Sequence, residues 1–253
     1  MSKKTDVFKS VLKKFETKEL REYCEDMIEL VDERIFRMPA STTYKYHNAT
    51  QCGYGGQCYH VLMAATIMNY VLELDYIRKS IAITEEQRDS MRTAMILHDS
   101  IKTGTDYGAY TVFEHPLLAK EWVKNTKVEH DVSEETKEYI GNLIASHSGQ
   151  WNSSTKSKIL LPTPSNGAEF IVHLCDYLGS RSDLDMIYDT EMKLAVEVFT
   201  DLPVLENPRE YVMPFGKYKD LTLGEIEEND IQYLNWMKEN IRKEPIKSIL
   251  KKM

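Results

Sequence analysis

The sequence predicts an all-α body followed by a small C-terminal α+β appendage, and three observations carry that expectation. Apolar residues recur at helical spacing in one segment after another, from Leu20 and Tyr23 near the start to Ile171, Leu174, Cys175 and Leu178. Capping signals open several of these segments, as in Thr84-Glu85-Glu86-Gln87 and at Ser133. A short strand pair is readable only in the tail, where Tyr211–Lys219 can turn at Gly216.

In chain order, residues 5–15 and 17–37 read as helices, the second with Cys24, Met27, Ile28, Leu30 and Val31 continuing one apolar face. Met38-Pro39 ends it, because the residue before a proline is pushed out of the helical region. Residues 39–58 form a polar, Gly-containing loop. Gly53, Gly55 and Gly56 near its end permit positive φ or close backbone approach, which suits the wall of a site. Helical periodicity resumes from Gln57 to Lys79, with His60 among Val61, Leu62, Ala64 and Ala65. In the next helix Met91, Ala94, Met95 and His98 fall at i, i+3, i+4 and i+7, so His98 closes the buried stripe. Ile101-Lys102-Thr103-Gly104 then breaks the helix.

His115-Pro116 opens another helix, with proline in the first turn. Ser133 caps a helix running to His147, which again lies seven residues past an apolar position, Ile140. Residues 148–166 are rich in Ser, Asn and Pro, and a loop of that length in a compact domain is often functional. A helix over 167–180 carries Asp176 beside its apolar line, and 183–200 continue helically. Leu202-Pro203 and Asn207-Pro208 mark a boundary. The expected organisation is N-terminal helices over 1–38 packing on the core, a main domain over 39–205, and a small module over 206–253. In that module Asp230 caps a helix bearing Ile231, Tyr233, Leu234, Trp236 and Met237. So small a module leans on the main domain or on a partner.

Composition narrows the class. With 42% hydrophobic and 28% charged residues over 253 positions, the chain reads as a soluble globular protein with ample core. A net charge of −8 argues against non-specific binding of the whole body to polyanions. The ends differ: residues 1–21 carry seven Lys/Arg against three Asp/Glu, and 237–253 carry six against two. These are solvated helix faces or nucleic-acid contacts. No stretch approaches the ~18 apolar residues of a membrane span, and the N-terminus has no apolar secretory segment. The four cysteines form no C-x-x-C pair, so a reduced, cytoplasmic setting is expected, with Cys52 and Cys58 as packing residues.

Six residues at structured positions can bind metal: His60, His98, Asp99, His115, His147 and Asp176. Each gap between successive segments is about one helix plus its connection, so helices of one bundle can aim them at a common centre. Any one of these histidines alone reads as core or surface. Together they favour a metal site, because an unpaired imidazole is costly to bury. Imidazole with carboxylate suits Mn, Fe, Zn, Ni or Mg ions. His47, His130 and His173 lack this support; His130 reads as surface, and His173 as a support behind the ligands or a packing residue.

The order His60…His98-Asp99…His115…His147…Asp176 resembles the HD superfamily of metal-dependent phosphohydrolases, and His98-Asp99-Ser100-Ile101-Lys102 matches its H-D-x-x-K form. The resemblance covers about residues 40–185 and implies an all-α helical bundle holding two divalent ions. It assigns His60, His98, Asp99 and Asp176 to one ion. Asp99 bridges to a second, held also by His115 and His147, and a water between the ions attacks phosphorus. Gly55-Gly56-x-x-x-His60, preceded by His47-Asn48-Ala49, is similar to a segment of the HD-type 3′–5′ exoribonucleases. This chain departs from them in a longer insert, in Gln57 where leucine is usual, and in lacking their OB-fold. In the tail, Met213-Pro-Phe-Gly-Lys-Tyr-Lys219, Leu223-Gly-Glu-Ile226, Asp230 and Tyr233-Leu-Asn-Trp236 are similar to a small module on DEDD-type exodeoxyribonucleases and phage proteins.

On this reading Asp99 and Lys102 are catalytic, with Lys102 neutralising charge on the phosphoryl group. Lys102, Gln150, Trp151 and Arg181 contact substrate: Arg181 forks onto a phosphate and Trp151 stacks on a base. The expected activity is a phosphodiesterase or nuclease with a nucleic-acid or nucleotide substrate. The acidic body keeps hydrolysis of a dNTP, dinucleoside polyphosphate or cyclic dinucleotide as an alternative. HD-type di-iron oxygenases share the six ligands and the H-D-x-x-K motif, and a non-catalytic metal-binding regulatory module is a further alternative.

Overall fold

The structure, a computed structural model, describes residues 4–41, 46–48, 50–80, 83–106, 108, 110–186, 188, 193, 196, 208–213, 216–241, 246–251 and 253. It is all-α: the described residues hold no strand, only one isolated antiparallel bridge between Val212 and Thr222.

After a short 3-10 turn at Lys4–Phe8 and α1 (Lys9–Leu12), helix α2 (Lys18–Leu30) buries Leu20, Tyr23, Cys24, Met27 and Ile28. The single helix expected over 17–37 is divided. Val31 turns to ψ 134°, and the Asp32 carboxylate accepts the Arg34 N–H at 2.9 Å to start α3 (Glu33–Arg37). A carboxylate satisfies an otherwise orphaned helix N–H, so the acidic residue marks a beginning inside an otherwise continuous apolar pattern. The helix expected over 57–79 likewise becomes α4 (Gly56–Glu73) and α5 (Asp75–Ser80), broken at Leu74.

α4 is buried over most of its circumference and packs against α9 (Gly167–Gly179), α6 (Glu85–Leu97) and α3. At the contact with α9, a Cβ on Gly179 would lie 2.8 Å from the Ala64 Cβ. The glycine is what lets the two helices approach. α6 opens with the expected capping box: Thr84 Oγ1 accepts the Gln87 N–H at 3.1 Å, and Gln87 Oε1 accepts the Thr84 N–H at 3.0 Å. α7 (His115–Asn125) and α8 (Glu134–Ala145) form a pair whose turn is clamped by the buried Lys137. Its ammonium donates to the Thr126 carbonyl at 2.9 Å and pairs with Asp131 at 2.6 Å. α8 ends at Ala145, short of the expected His147.

One apolar core runs from Val7 and Phe8 through α2, α4, α6 and α8 to Val172 and Cys175 on α9. The four cysteines are buried thiols, as packing residues would be. Residues 183–186 are not helical, against expectation, and most of 187–207, including Leu202-Pro203, lies outside the described residues. The tail has its own apolar cluster, with Met213, Leu223, Ile226, Leu234 and Met237 at its centre. It comprises α10 (Leu223–Asn229), α11 (Ile231–Asn240), capped by Asp230 as expected, and α12 (Ile246–Leu250). Of the strand pair expected over 211–219, the described residues show one bridge, from Val212 to Thr222, and residues 214 and 215 lie outside them. No helix of the described residues is long and apolar enough to cross a membrane.

Polar residues on α6 are buried at little cost because they form a closed network. Arg88 pairs with Glu16 at 2.6 Å, and Arg92 pairs with Asp89 at 2.6 Å and donates to Asn69 at 3.0 Å. Asp89 also accepts the Glu16 and Thr17 N–H groups at 2.8 and 2.7 Å. Hydrogen bonding from Arg88, against a smaller opposing effect of burial, holds the Glu16 carboxyl down at about 2 from its usual 4.5. A depressed carboxyl stabilises the fold above its unfolded value, and that stability is lost as pH falls through the folded value. Glu16→Gln is therefore expected to lower stability at pH 7 by about 1 kcal/mol, because solvent screens a carboxylate this exposed. It should also flatten the loss of stability between pH 4.5 and about 2, measured by urea unfolding across that range.

Candidate metal centre

The six candidate ligands come from five elements, and helix ends position most of them. His60 lies in the second turn of α4, and His98 is the C-cap of α6 with Asp99 just beyond. His115 begins α7, His147 follows the end of α8 and Asp176 sits in the last turns of α9. His98, His115 and His147 share one local device. Each directs Nδ1 at the carbonyl three residues earlier: Met95 at 2.7 Å, Val112 at 2.8 Å and Ile144 at 2.7 Å. A carbonyl only accepts, so Nδ1 carries the proton and Nε2 offers a lone pair to the centre. His60 differs, its buried Nδ1 having no hydrogen-bond partner among the described residues.

The Nε2 atoms of His60 and His98 stand 3.3 Å apart, and Asp176 Oδ1 lies 3.0 and 3.4 Å from them. On the other side His115 and His147 bring their Nε2 atoms to 3.3 Å. Asp99 lies between, with Oδ2 3.3 Å from His98 and Oδ1 3.1 Å from His115. Ligands at right angles or tetrahedral angles around an ion with ~2.1 Å bonds stand ~3.0–3.4 Å from each other. The donor spacing fits that requirement. His115 and His147 add a second test: with both Nδ1–H groups committed, two lone pairs face each other, which is repulsive unless a cation or proton lies between. Two groups can thus hold an ion, His60–His98–Asp176 and His98–Asp99–His147, each with donor atoms within 4.8 Å of one another.

The electrostatics make the same demand for positive charge. Burial raises the Asp99 and Asp176 carboxyls, yet both are held well below the usual range, Asp99 by Lys102 and His98, Asp176 by bonds from His60 and His98. Burial disfavours a charged His98, but Asp99 and Asp176 together lift it to about 10. His147 goes the other way, pushed down to about 3 by burial and then by the charge of His98.

Lys102 is buried, not free in the cleft, with Nζ 2.7 Å from Asp99 Oδ2 and 2.8 Å from Gln57 Oε1. Gln57 Nε2 completes the triangle by donating to the same Asp99 oxygen at 2.8 Å. Sequence reasoning left Gln57 outside the site. The available signal was its place three residues before His60, on the same face of α4. Its backbone is set by Gly55 at φ 74° and by Gly56, where a Cβ would lie 2.0 Å from the Gln51 carbonyl oxygen. Gln51 in turn donates to the Gly179 carbonyl at 2.8 Å and lies 2.7 Å from His47 Nδ1, tying the loop to the end of α9.

Above the cluster lies a cleft of about 340 Å³, whose walls include His47, Lys102, Trp151 and Arg181. Trp151 is 48% exposed and stacks on Tyr177 with ring centroids 5.5 Å apart, and the Arg181 guanidinium lies 4.3 Å from the same Tyr177 ring. Gln150, expected in this wall, is exposed and does not line the cleft. His173 is a support for the centre: its Nδ1 lies 2.8 Å from the His147 carbonyl oxygen. His130 is at the surface against Asp26, and Cys52 and Cys58 contact backbone carbonyls of His47 and Phe36.

Residues 213–242 match the family described as Exodeoxyribonuclease X-like C-terminal, which bears out the resemblance of the tail. No curated protein and no solved structure matches the chain. Within the matched segment Trp236 is half-exposed and stacks on Tyr233 at 5.3 Å, and Lys217 lies 4.6 Å from the Tyr218 ring.

Replacing both His115 and His147 by alanine is expected to lower bound metal by about one ion per chain, and Asp99→Ala to lower it further. Elemental analysis of purified protein reads both; unchanged metal content in Asp99→Ala would overturn the centre.

Proposed function

We propose that the chain is a divalent-metal-dependent phosphohydrolase of the HD type that cleaves phosphodiester bonds in nucleic acid. The observation that carries the reading is Asp99, whose two oxygens face two separate histidine groups at ligand spacing. His60, His98, Asp99 and Asp176 would hold one ion, and Asp99, His115 and His147 the other. When bound, such a pair supplies Lewis acidity at the phosphoryl oxygens and a water that is nucleophilic at neutral pH.

The protein's own contribution is positioning and charge. Gln57 and Lys102 grip one oxygen of Asp99, which fixes the plane of the carboxylate and limits its reorganisation. Arg181, beside the cleft, can pair with a phosphate, and Trp151 offers an indole for an unpaired base. The cluster itself is buried, His98 fully and Asp99 and His147 nearly so, which favours a flexible single strand over a duplex held in its stack. The tail match supports a nucleic-acid context.

Hydrolysis of a small nucleotide is the second reading, favoured by the net charge of −8 and by a cleft of nucleotide size. A panel with Mn²⁺ separates the two. Single-stranded DNA or RNA and bis-p-nitrophenyl phosphate are expected to be cleaved, with dNTPs and cyclic dinucleotides poorer; the reverse ranking would favour the second reading. Asp99→Ala is expected to reduce kcat by about a thousandfold or more, and Arg181→Ala to act chiefly on KM for strands. Deleting residues 207–253 should weaken strand binding in a salt-controlled titration and lower kcat/KM on oligonucleotides more than on bis-p-nitrophenyl phosphate.

A further inference from the structure

We propose that the site binds a nucleoside on each side of the reacting phosphate, so that its smallest good substrate is a dinucleotide with unpaired bases. The inference rests on the phosphodiesterase reading and names its substrate more closely. Its basis is a second recess of about 570 Å³ that adjoins the cleft over the metal centre. The two spaces share His115, Thr111, Ser148 and Trp151, so a candidate metal ligand stands on the boundary between them. A phosphate held at that boundary has room for a substituent on both sides. A monoester or a triphosphate would need only one.

The chemistry of the second recess differs from that of the first. Val112 and Phe113 give it an apolar wall, and Glu114 and Lys156 contribute one charge of each sign. A space that is neutral on balance and partly apolar suits a base and its sugar and does not suit another phosphate. Glu114 adds a carboxylate acceptor for a sugar hydroxyl or an exocyclic amine. Arg181, the cation placed for phosphate, lines the first cleft only.

The recess is also held in shape. Ser157 Oγ donates to Glu114, which is the residue before His115 and the N-cap of α7. The Leu161 N–H donates to the Asn152 carbonyl at 2.9 Å, closing the 148–166 loop on itself. The wall of the recess is therefore anchored one residue from the metal centre. Trp151, half-exposed and braced on Tyr177, stands where both spaces meet, so a base entering either one can reach an indole already held in place.

The test compares esters with similar alkoxide leaving groups, using the full chain with Mn²⁺. Thymidine 3′-methyl phosphate and thymidine 5′-methyl phosphate each carry one nucleoside, TpT carries two, and tetrathymidylate extends the series. One added stacked nucleoside is expected to raise kcat/KM for TpT at least about tenfold over either methyl ester. The further gain to tetrathymidylate should be smaller. Ser157→Trp, which fills the recess, should lower kcat/KM for TpT at least about tenfold more than for the methyl esters. Equal kcat/KM for TpT and the methyl esters would overturn the two-sided site and leave the phosphodiesterase reading standing. Failure to hydrolyse any diester, bis-p-nitrophenyl phosphate included, would overturn both. If Ser157→Trp does not fold, the wild-type series decides the question by itself.

Discussion

The buried carboxylate of Asp99 is the constraint around which the helical body is arranged. A carboxylate taken out of water is tolerated only if it is paired and its oxygens are hydrogen-bonded. Here the compensation comes from several elements at once: Gln57 from α4, Lys102 from the turn after α6, and His115 from the start of α7, with His98 alongside. Removing any of these leaves a nearly buried charge with fewer partners. The packing of α4, α6 and α7 is therefore tied to the electrostatics of one side chain.

Helix termini make the convergence affordable in conformational terms. A histidine at a helix terminus can reach the carbonyl three residues back, and His98, His115 and His147 all take that bond. The ring is then fixed without any long-range partner, and its Nε2 is left for the centre. Asp176 needs a different arrangement because it lies on the body of α9. Its approach to His60 depends on α4 and α9 lying close together, which the Gly179–Ala64 contact permits. The Glu16–Arg88–Asp89–Arg92 network holds the N-terminal half of α6, and His98 and Asp99 hold its other end.

These features explain which parts were legible in the sequence. Histidines that close apolar stripes at helix ends carry a periodic signal, and the order of His60, His98-Asp99, His115, His147 and Asp176 survives in the geometry. The helix caps at Thr84, Ser133 and Asp230 were legible because each rests on a local side-chain bond. Gln57 had only its place three residues before His60 to mark it, and that spacing does not tell a buried glutamine bonded to two charged groups from one packed at the start of a helix. The breaks at Val31 and Leu74 were hidden inside unbroken apolar patterns. Gln150 was expected in the wall with Trp151 and the rest of the 148–166 loop, yet neighbours in a loop face different ways.

The acidic body is compatible with a polyanionic substrate once the scale of the field is considered. Net charge governs long-range steering, which salt screens beyond about 10 Å. At the cleft the balance is local: Lys102 and Arg181 line it, and Asp99 and Asp176 are enclosed by imidazoles and an ammonium. A protein with this distribution gains little from non-specific attraction along a duplex. On the proposed reading, its discrimination has to come from short-range groups, the Trp151–Tyr177 stack and the guanidinium of Arg181, which act only on a strand that can bring a base and a phosphate into the cleft together.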